Sequence, residues 1–192
     1  MTRLTHRVVQ HLSAGLLVCM LWLCFGSLSV FAAEPAHLRL VDRLDRPVDG
    51  YCIDVHGTAS NLRTDLPLFA HNCKSRLTAD SAVVFADSGE IEFIDPGLCV
   101  TVAGVNSAAL PGAAVILRQC GESGVFFEAT ALQRFIQHSD GRLELKGSGL
   151  CLVAGRRSGV TYSSSDRWRS LFVDDCASVN AALSQWEFIV PG

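Results

Sequence analysis

Six cysteines fall along the chain as three pairs, and each pair encloses the same kind of segment. Cys52-Ile53-Asp54-Val55 opens the first copy and Leu68-Phe69-Ala70-His71-Asn72-Cys73 closes it. Cys99-Val100-Thr101-Val102 and Val115-Ile116-Leu117-Arg118-Gln119-Cys120 bound the second copy. Cys151-Leu152-Val153-Ala154 and Leu171-Phe172-Val173-Asp174-Asp175-Cys176 bound the third. The members of each pair lie 21, 21 and 25 residues apart. Self-similarity of this kind marks a repeat architecture, in which no unit can bury its apolar face alone. Six cysteines allow fifteen connectivities, and the repeat selects one of them: Cys52 with Cys73, Cys99 with Cys120, and Cys151 with Cys176. A metal site prompted by His71 and Cys73 is the rival use of these groups. Zinc ligation draws on clustered pairs such as C-x-x-C, and the sequence has none, so no metal or other cofactor is expected.

The segments between the copies repeat as well. Gly89-Glu90-Ile91-Glu92-Phe93-Ile94-Asp95-Pro96-Gly97-Leu98 aligns without a gap on Gly141-Arg142-Leu143-Glu144-Leu145-Lys146-Gly147-Ser148-Gly149-Leu150. Each reads as a turn glycine, an alternating strand, a second turn, and entry to the next cysteine strand. Another short strand precedes each turn, around Ala82–Phe85 and Gln133–Gln137, and the third copy ends on Gln185-Trp186-Glu187-Phe188-Ile189. Leu38-Arg39-Leu40-Val41 is the matching opening strand. Only Glu128–Gln133 suggests a helix, and a loop with a single turn explains it equally. The expected fold is therefore all-β: twelve short strands in three repeats, at about 38–88, 89–140 and 141–190, closing on one core as a threefold barrel.

Residues 1–32 read as a signal peptide, with Arg3 and Arg7 at a basic start, an uncharged apolar run from Ala14 to Phe31, and small residues at the end. A retained membrane anchor is the other reading of that run, while Leu23 before Cys24 argues against a lipoprotein site. Cleavage would leave residues 33–192 as an exported domain, secreted or periplasmic, where disulfides persist. That domain has 14 basic and 19 acidic residues, a formal charge of −5, and so lacks the cationic footprint that a nucleic-acid partner demands.

The pattern of C-x-D-V, a strand closing on cysteine, and an apolar residue at the Q-x-W position resembles the ricin B-type lectins, which are β-trefoils. The resemblance covers about residues 38–190. Gln133-Arg134-Phe135 stands at Q-x-W in the second copy, Ser184-Gln185-Trp186 in the third and Ser81-Ala82-Val83 in the first. The Trp position is structural in that family, so Val83, Phe135 and Trp186 are expected in the core. The resemblance also implies a shallow sugar site in each repeat, built from a carboxylate, a stacking ring and an amide. Hydrogen bonds to a charged group contribute about 1.5–3 kcal/mol each, so a copy without the carboxylate should be nearly silent.

Carried over by position, the first copy offers Asp54 as the carboxylate, His71 as the ring and Asp80 at the amide position. The second offers Thr101, Arg118 and Leu132, and the third Val153, Asp174 and Leu183. Any glycan is thus expected at the first repeat. The alternatives to a sugar role are that Asp54 caps a turn or pairs with Arg63, that His71 is a half-buried strand-end residue, and that Asp80 makes an ordinary turn. His37, His56 and His138 are expected on the surface or in loops.

An enzyme is not indicated. The sequence has no G-x-S-x-G, H-E-x-x-H or phosphate-binding glycine loop. Ser163-Ser164-Ser165-Asp166 reads as a solvated loop, and Asp174 and Asp175, as strand neighbours, point to opposite faces. A different class of function remains: a scaffold with decayed sugar sites that binds a protein as an inhibitor or a subunit. Its candidate surface is the Thr161–Arg169 insertion, which carries Tyr162, Arg167, Trp168 and Arg169, residue types that anchor interfaces.

Overall fold

The computed structural model describes residues 33–161 and 163–191. The expected signal peptide and Tyr162 lie outside the described residues.

The first repeat contributes β1 (His37–Leu40), β2 (Tyr51–Asp54), β3 (Phe69–Asn72) and β4 (Val83–Phe85). In the second, β5 (Ile91–Phe93) and β6 (Leu98–Val102) precede a small ribbon of β7 (Gly104–Val105) and β8 (Ala108–Ala109). Then come β9 (Val115–Arg118), a second ribbon of β10 (Ser123–Gly124) and β11 (Phe127–Glu128), helix α1 (Ala129–Gln133) and β12 (Phe135–Gln137). The third repeat holds β13 (Leu143–Leu145), β14 (Leu150–Ala154), β15 (Gly159–Val160), β16 (Arg167–Asp175) and β17 (Trp186–Ile189). Four strands recur in each copy as the spacing predicts. The segment at 128–133 resolves as a five-residue helix whose first turn is capped by the Glu128 carboxylate, which accepts from Thr130 N.

Six of the strands close a barrel. Antiparallel ladders join β4 to β5, β12 to β13, and β17 to β1, so the last strand of each repeat pairs with the first of the next. Within each repeat backbone hydrogen bonding completes the ring: Val83 N donates to Ala36 O at 2.9 Å and Ala36 N to Val83 O at 2.8 Å, Phe135 N to Gly89 O at 2.8 Å, and Trp186 N to Gly141 O at 2.8 Å. Gly89 and Gly141 have φ of +98° and +88°, and a Cβ on Gly89 would stand 2.7 Å from Phe135 O. Only glycine permits that close approach of the two backbones.

The remaining trefoil-related strands form hairpins β2–β3, β6–β9 and β14–β16, and each is stapled in the same register. Cys52 lies opposite His71, Cys99 opposite Arg118 and Cys151 opposite Asp174, and each bonds the cysteine two residues further on. The three disulfides are those the repeat selects. Apolar positions alternate inward at matching places: Ile53, Val100 and Leu152 are fully buried, as are Val83, Phe135 and Trp186 at the Q-x-W position. Trp186 also satisfies its indole by donating from Nε1 to Leu152 O at 3.0 Å.

One departure from threefold symmetry positions the site. Strand β16 is nine residues long and runs beyond its own hairpin, pairing Trp168, Arg169 and Ser170 with His71, Ala70 and Phe69 of β3. The insertion expected as an exposed loop is therefore partly strand. Arg169 is buried rather than a surface anchor; it lies over the Tyr51 ring, donates to Gly155 O and Arg156 O, and reaches Asp45 at 2.5 Å. Trp168 remains exposed on one side and rests against Gly159.

Candidate functional site

Strands β2 and β3, the turn after Cys73 and the inserted segment of the third repeat enclose a cavity of about 520 Å³, of the size small-molecule sites occupy. Period-two geometry puts Phe69 and His71 on one face of β3, while His56 follows Asp54 in the bend beyond the end of β2. Asp54 and Phe69 stand opposite each other across the ladder. The walls are aromatic. His56 stacks on Phe69 with centroids 4.1 Å apart and planes inclined by 23°, and Phe69 lies 5.5 Å from His71. Trp168 lines the far side, next to His71 across the β3–β16 pair.

At the floor is Asp54, its side chain only 4% exposed. Oδ2 accepts from Lys74 Nζ at 3.0 Å and lies 3.6 Å from His71 Nδ1. Oδ1 is buried and has no hydrogen-bond partner among the described residues. Burial pushes the Asp54 carboxyl above the ordinary carboxylate range, and the His71 and Lys74 contacts only partly oppose it, while Asp80 adds to the rise. Asp80 differs. Burial raises its pKa, but Lys74 Nζ at 2.6 Å from Oδ2 and Thr78 Oγ1 at 2.7 Å from Oδ1 outweigh that and hold it below the ordinary value. Both Asp80 oxygens are thus engaged, and Asp80 anchors Lys74.

His71 places Nε2 3.4 Å from Thr161 Oγ1, which ties the first repeat to the insertion. Burial holds the His56 imidazole below its ordinary pKa, so the stacked ring stays neutral at neutral pH.

The cavity brings together all three side chains expected from the sequence: Asp54, His71 and Asp80. Asp54 does not pair with Arg63, because Arg63 finds Asp65 two residues away at 2.7 Å. His56 is not a simple surface residue but part of the wall. His37 is likewise buried, in β1, with Nδ1 3.3 Å from Ser81 O. His138 is exposed as expected and meets Glu144 at 2.7 Å. Lys74 and Phe69 carry no site signal of their own in the sequence, although Lys74 follows Cys73 directly and Phe69 precedes His71 by one strand period; Trp168, expected as an interface anchor, lines the cavity instead. Among the described residues, no three His, Cys, Asp or Glu side chains gather as a metal site.

No protein-family profile and no curated protein matches the sequence. Solved structures do match. The solution structure of the mdaA-1 domain superposes with a TM-score of 0.56 at 15% identity, covering 84% of this chain and 92% of that one. An agglutinin from Abrus precatorius gives 0.56 at 20% identity over 82% of this chain and 48% of its own. The β-trefoil lectin of the Vibrio vulnificus hemolysin/cytolysin, solved with N-acetyl-D-lactosamine bound, gives 0.53 at 14% identity, covering 83% and 96%. The chain is a β-trefoil.

The corresponding positions of the other two repeats carry different side chains. In the second repeat Thr101 replaces Asp54 and accepts from Gln133 Nε2 at 2.9 Å. The same amide donates to Gln119 O at 2.9 Å, and its Oε1 accepts from Gly121 N at 2.8 Å. Every polar atom is satisfied locally. In the third repeat Val153 and Leu183 are buried and have no polar side-chain atom to offer.

Proposed function

We propose that this trefoil is an exported, non-catalytic, lectin-like protein that holds one carbohydrate in the cavity of its first repeat. The observation that carries this reading is the orphaned Asp54 Oδ1: a buried acceptor left without a partner costs about 1–3 kcal/mol, more for a charged group, and a sugar hydroxyl would relieve that cost. Lys74 spends two of its three donors on Asp54 and Asp80 and keeps one for a neighbouring sugar oxygen. The apolar face of the ring would lie against Phe69, His56 and Trp168, with His71 orienting the carboxylate. Asp80 serves by fixing Lys74 rather than by touching the sugar.

A single shallow site gives millimolar affinity, about −4 kcal/mol, so tight attachment would come from a polyvalent glycan. The use of the 161–169 insertion as a protein anchor has less support, since Trp168 lines the cavity and Arg169 is buried. Glycan-array binding followed by calorimetric titration of wild type, Asp54→Ala and Trp168→Ala tests the proposal. Loss of binding in both variants supports it; equal binding by Asp54→Ala and wild type removes Asp54 from the site.

A further inference from the structure

The cavity is aromatic and also strongly acidic. Asp54, Asp80 and Asp166 all line it, and among its described lining residues Lys74 is the sole lysine or arginine. Lys74 is shared between Asp54 and Asp80 at 3.0 and 2.6 Å, so one ammonium faces two carboxylates, and the third, Asp166, stands at the rim near the Arg46 guanidinium, which is already paired with Asp49. Among the described residues, Asp166 accepts from the neutral Ser163 hydroxyl, at 2.7 Å. The acidic cluster is not the whole observation, because Asp54 Oδ1 lies buried at the floor with no hydrogen-bond partner among the described residues. A neutral hydroxyl would satisfy that atom without offsetting the excess negative charge. An ammonium group would do both, and the Phe69 and Trp168 rings that line the cavity are of the kind whose π faces attract cations.

From the sugar reading above, we infer that the favoured ligand of this site is a sugar bearing a free, protonated amine, such as an unacetylated 2-amino hexose. The amine would donate to Asp54 Oδ1 while ring hydroxyls face Lys74. N-acetylation would remove the charge, and an anionic sugar would be repelled by the same carboxylates. At low ionic strength the charge should be worth about tenfold in affinity, or about 1.4 kcal/mol. Most of that advantage should fade as salt screens the rim.

The test titrates the oxidised protein with glucosamine, N-acetylglucosamine and glucose, with the galactose series in parallel, and with ethanolamine as a bare ammonium. All titrations are run at low and at physiological salt. The inference expects the free amine to bind about tenfold more tightly than its N-acetyl form, with ethanolamine far weaker. It also expects Asp166→Asn, which leaves the Asp54 cluster intact, to reduce amino-sugar affinity about two- to fivefold without changing N-acetyl-sugar affinity. Equal or tighter binding of the N-acetyl forms overturns the inference and leaves a neutral-sugar site standing. Ethanolamine binding as tightly as glucosamine overturns the sugar part and leaves an ammonium pocket. Absence of binding by every sugar overturns this inference and the lectin reading together.

Discussion

Replacing Lys74 by methionine should expose how the candidate site is held together. The substitution keeps the length and apolar stem of the side chain and deletes the charge that lies 3.0 Å from Asp54 and 2.6 Å from Asp80. Both carboxylates are nearly buried, at 4% and 7% side-chain exposure, so water reaching them from the cavity replaces the lost cation only in part. Removing one partner of a buried pair costs about 3–5 kcal/mol. Lys74 is itself 28% exposed, which places the expected loss near the lower end, about 3 kcal/mol. For a domain of this size that lowers Tm by about 6–12 °C.

The loss should also depend on pH. The folded-state pKa of Asp54 already lies above its unfolded value, because burial outweighs the pull of His71 and Lys74 and Asp80 adds repulsion. Deleting Lys74 raises it further. The penalty is then full at neutral pH and shrinks as the pH falls through that raised folded value, where Asp54 takes up a proton in the folded state first. In an Asp54→Asn background, Lys74→Met should cost clearly less, since only Asp80 is left unpaired. Chemical denaturation of the four proteins of this cycle, with disulfides intact, measures each term. A neutral-pH loss below about 1 kcal/mol, or the same loss in both backgrounds, would refute the argument.

Asp54→Asn alone should stabilise the fold at neutral pH while abolishing sugar binding, because the raised carboxyl pKa means that ionising Asp54 opposes folding there; a lower Tm at neutral pH would contradict this. His37 is held below its ordinary pKa mainly by burial, against the pull of nearby carbonyls, so it contributes stability above about pH 6.5 that is lost as the pH drops toward its lower folded value. His37→Gln should flatten the stability–pH curve in that window, and an unchanged slope would exclude His37 as its source. Trp186→Ala removes a fully buried ring and leaves Leu152 O without its donor, at an expected cost of about 3–5 kcal/mol. Val83→Ala, at the equivalent place in the first repeat, removes only two methyl groups and should cost distinctly less, which urea unfolding of both variants checks.

Spacing and period carried most of the fold because they are local properties. The cysteine intervals selected the three disulfides, alternation placed Ile91/Phe93 and Leu143/Leu145 inward, and the aligned glycines marked the turns where two backbones nearly touch. Position in the repeat also brought Asp54, His71 and Asp80 to one cavity. Part of the rest was within reach of the same rule: two residues before His71 lies Phe69, facing the same way, whereas His56 joins the wall from the bend after β2.

Other features depended on segments distant in sequence. Arg63 looked like a partner for Asp54, but a side chain pairs with what lies nearest in space, and that was Asp65. His37 carried no sign of burial until the segment with Lys74, Arg76 and Ser81 folded against its ring. Above all, the sequence could write an aspartate after the first cysteine of one copy and not of the others. It could not show that the nine-residue β16 would cross to β3, wall the cavity with Trp168, and leave one oxygen of that aspartate buried without a donor. Repeat spacing settles which strands pair, because backbone hydrogen bonding obeys a fixed period. Desolvation of a charge is set by every group around it, and only the assembled trefoil decides that.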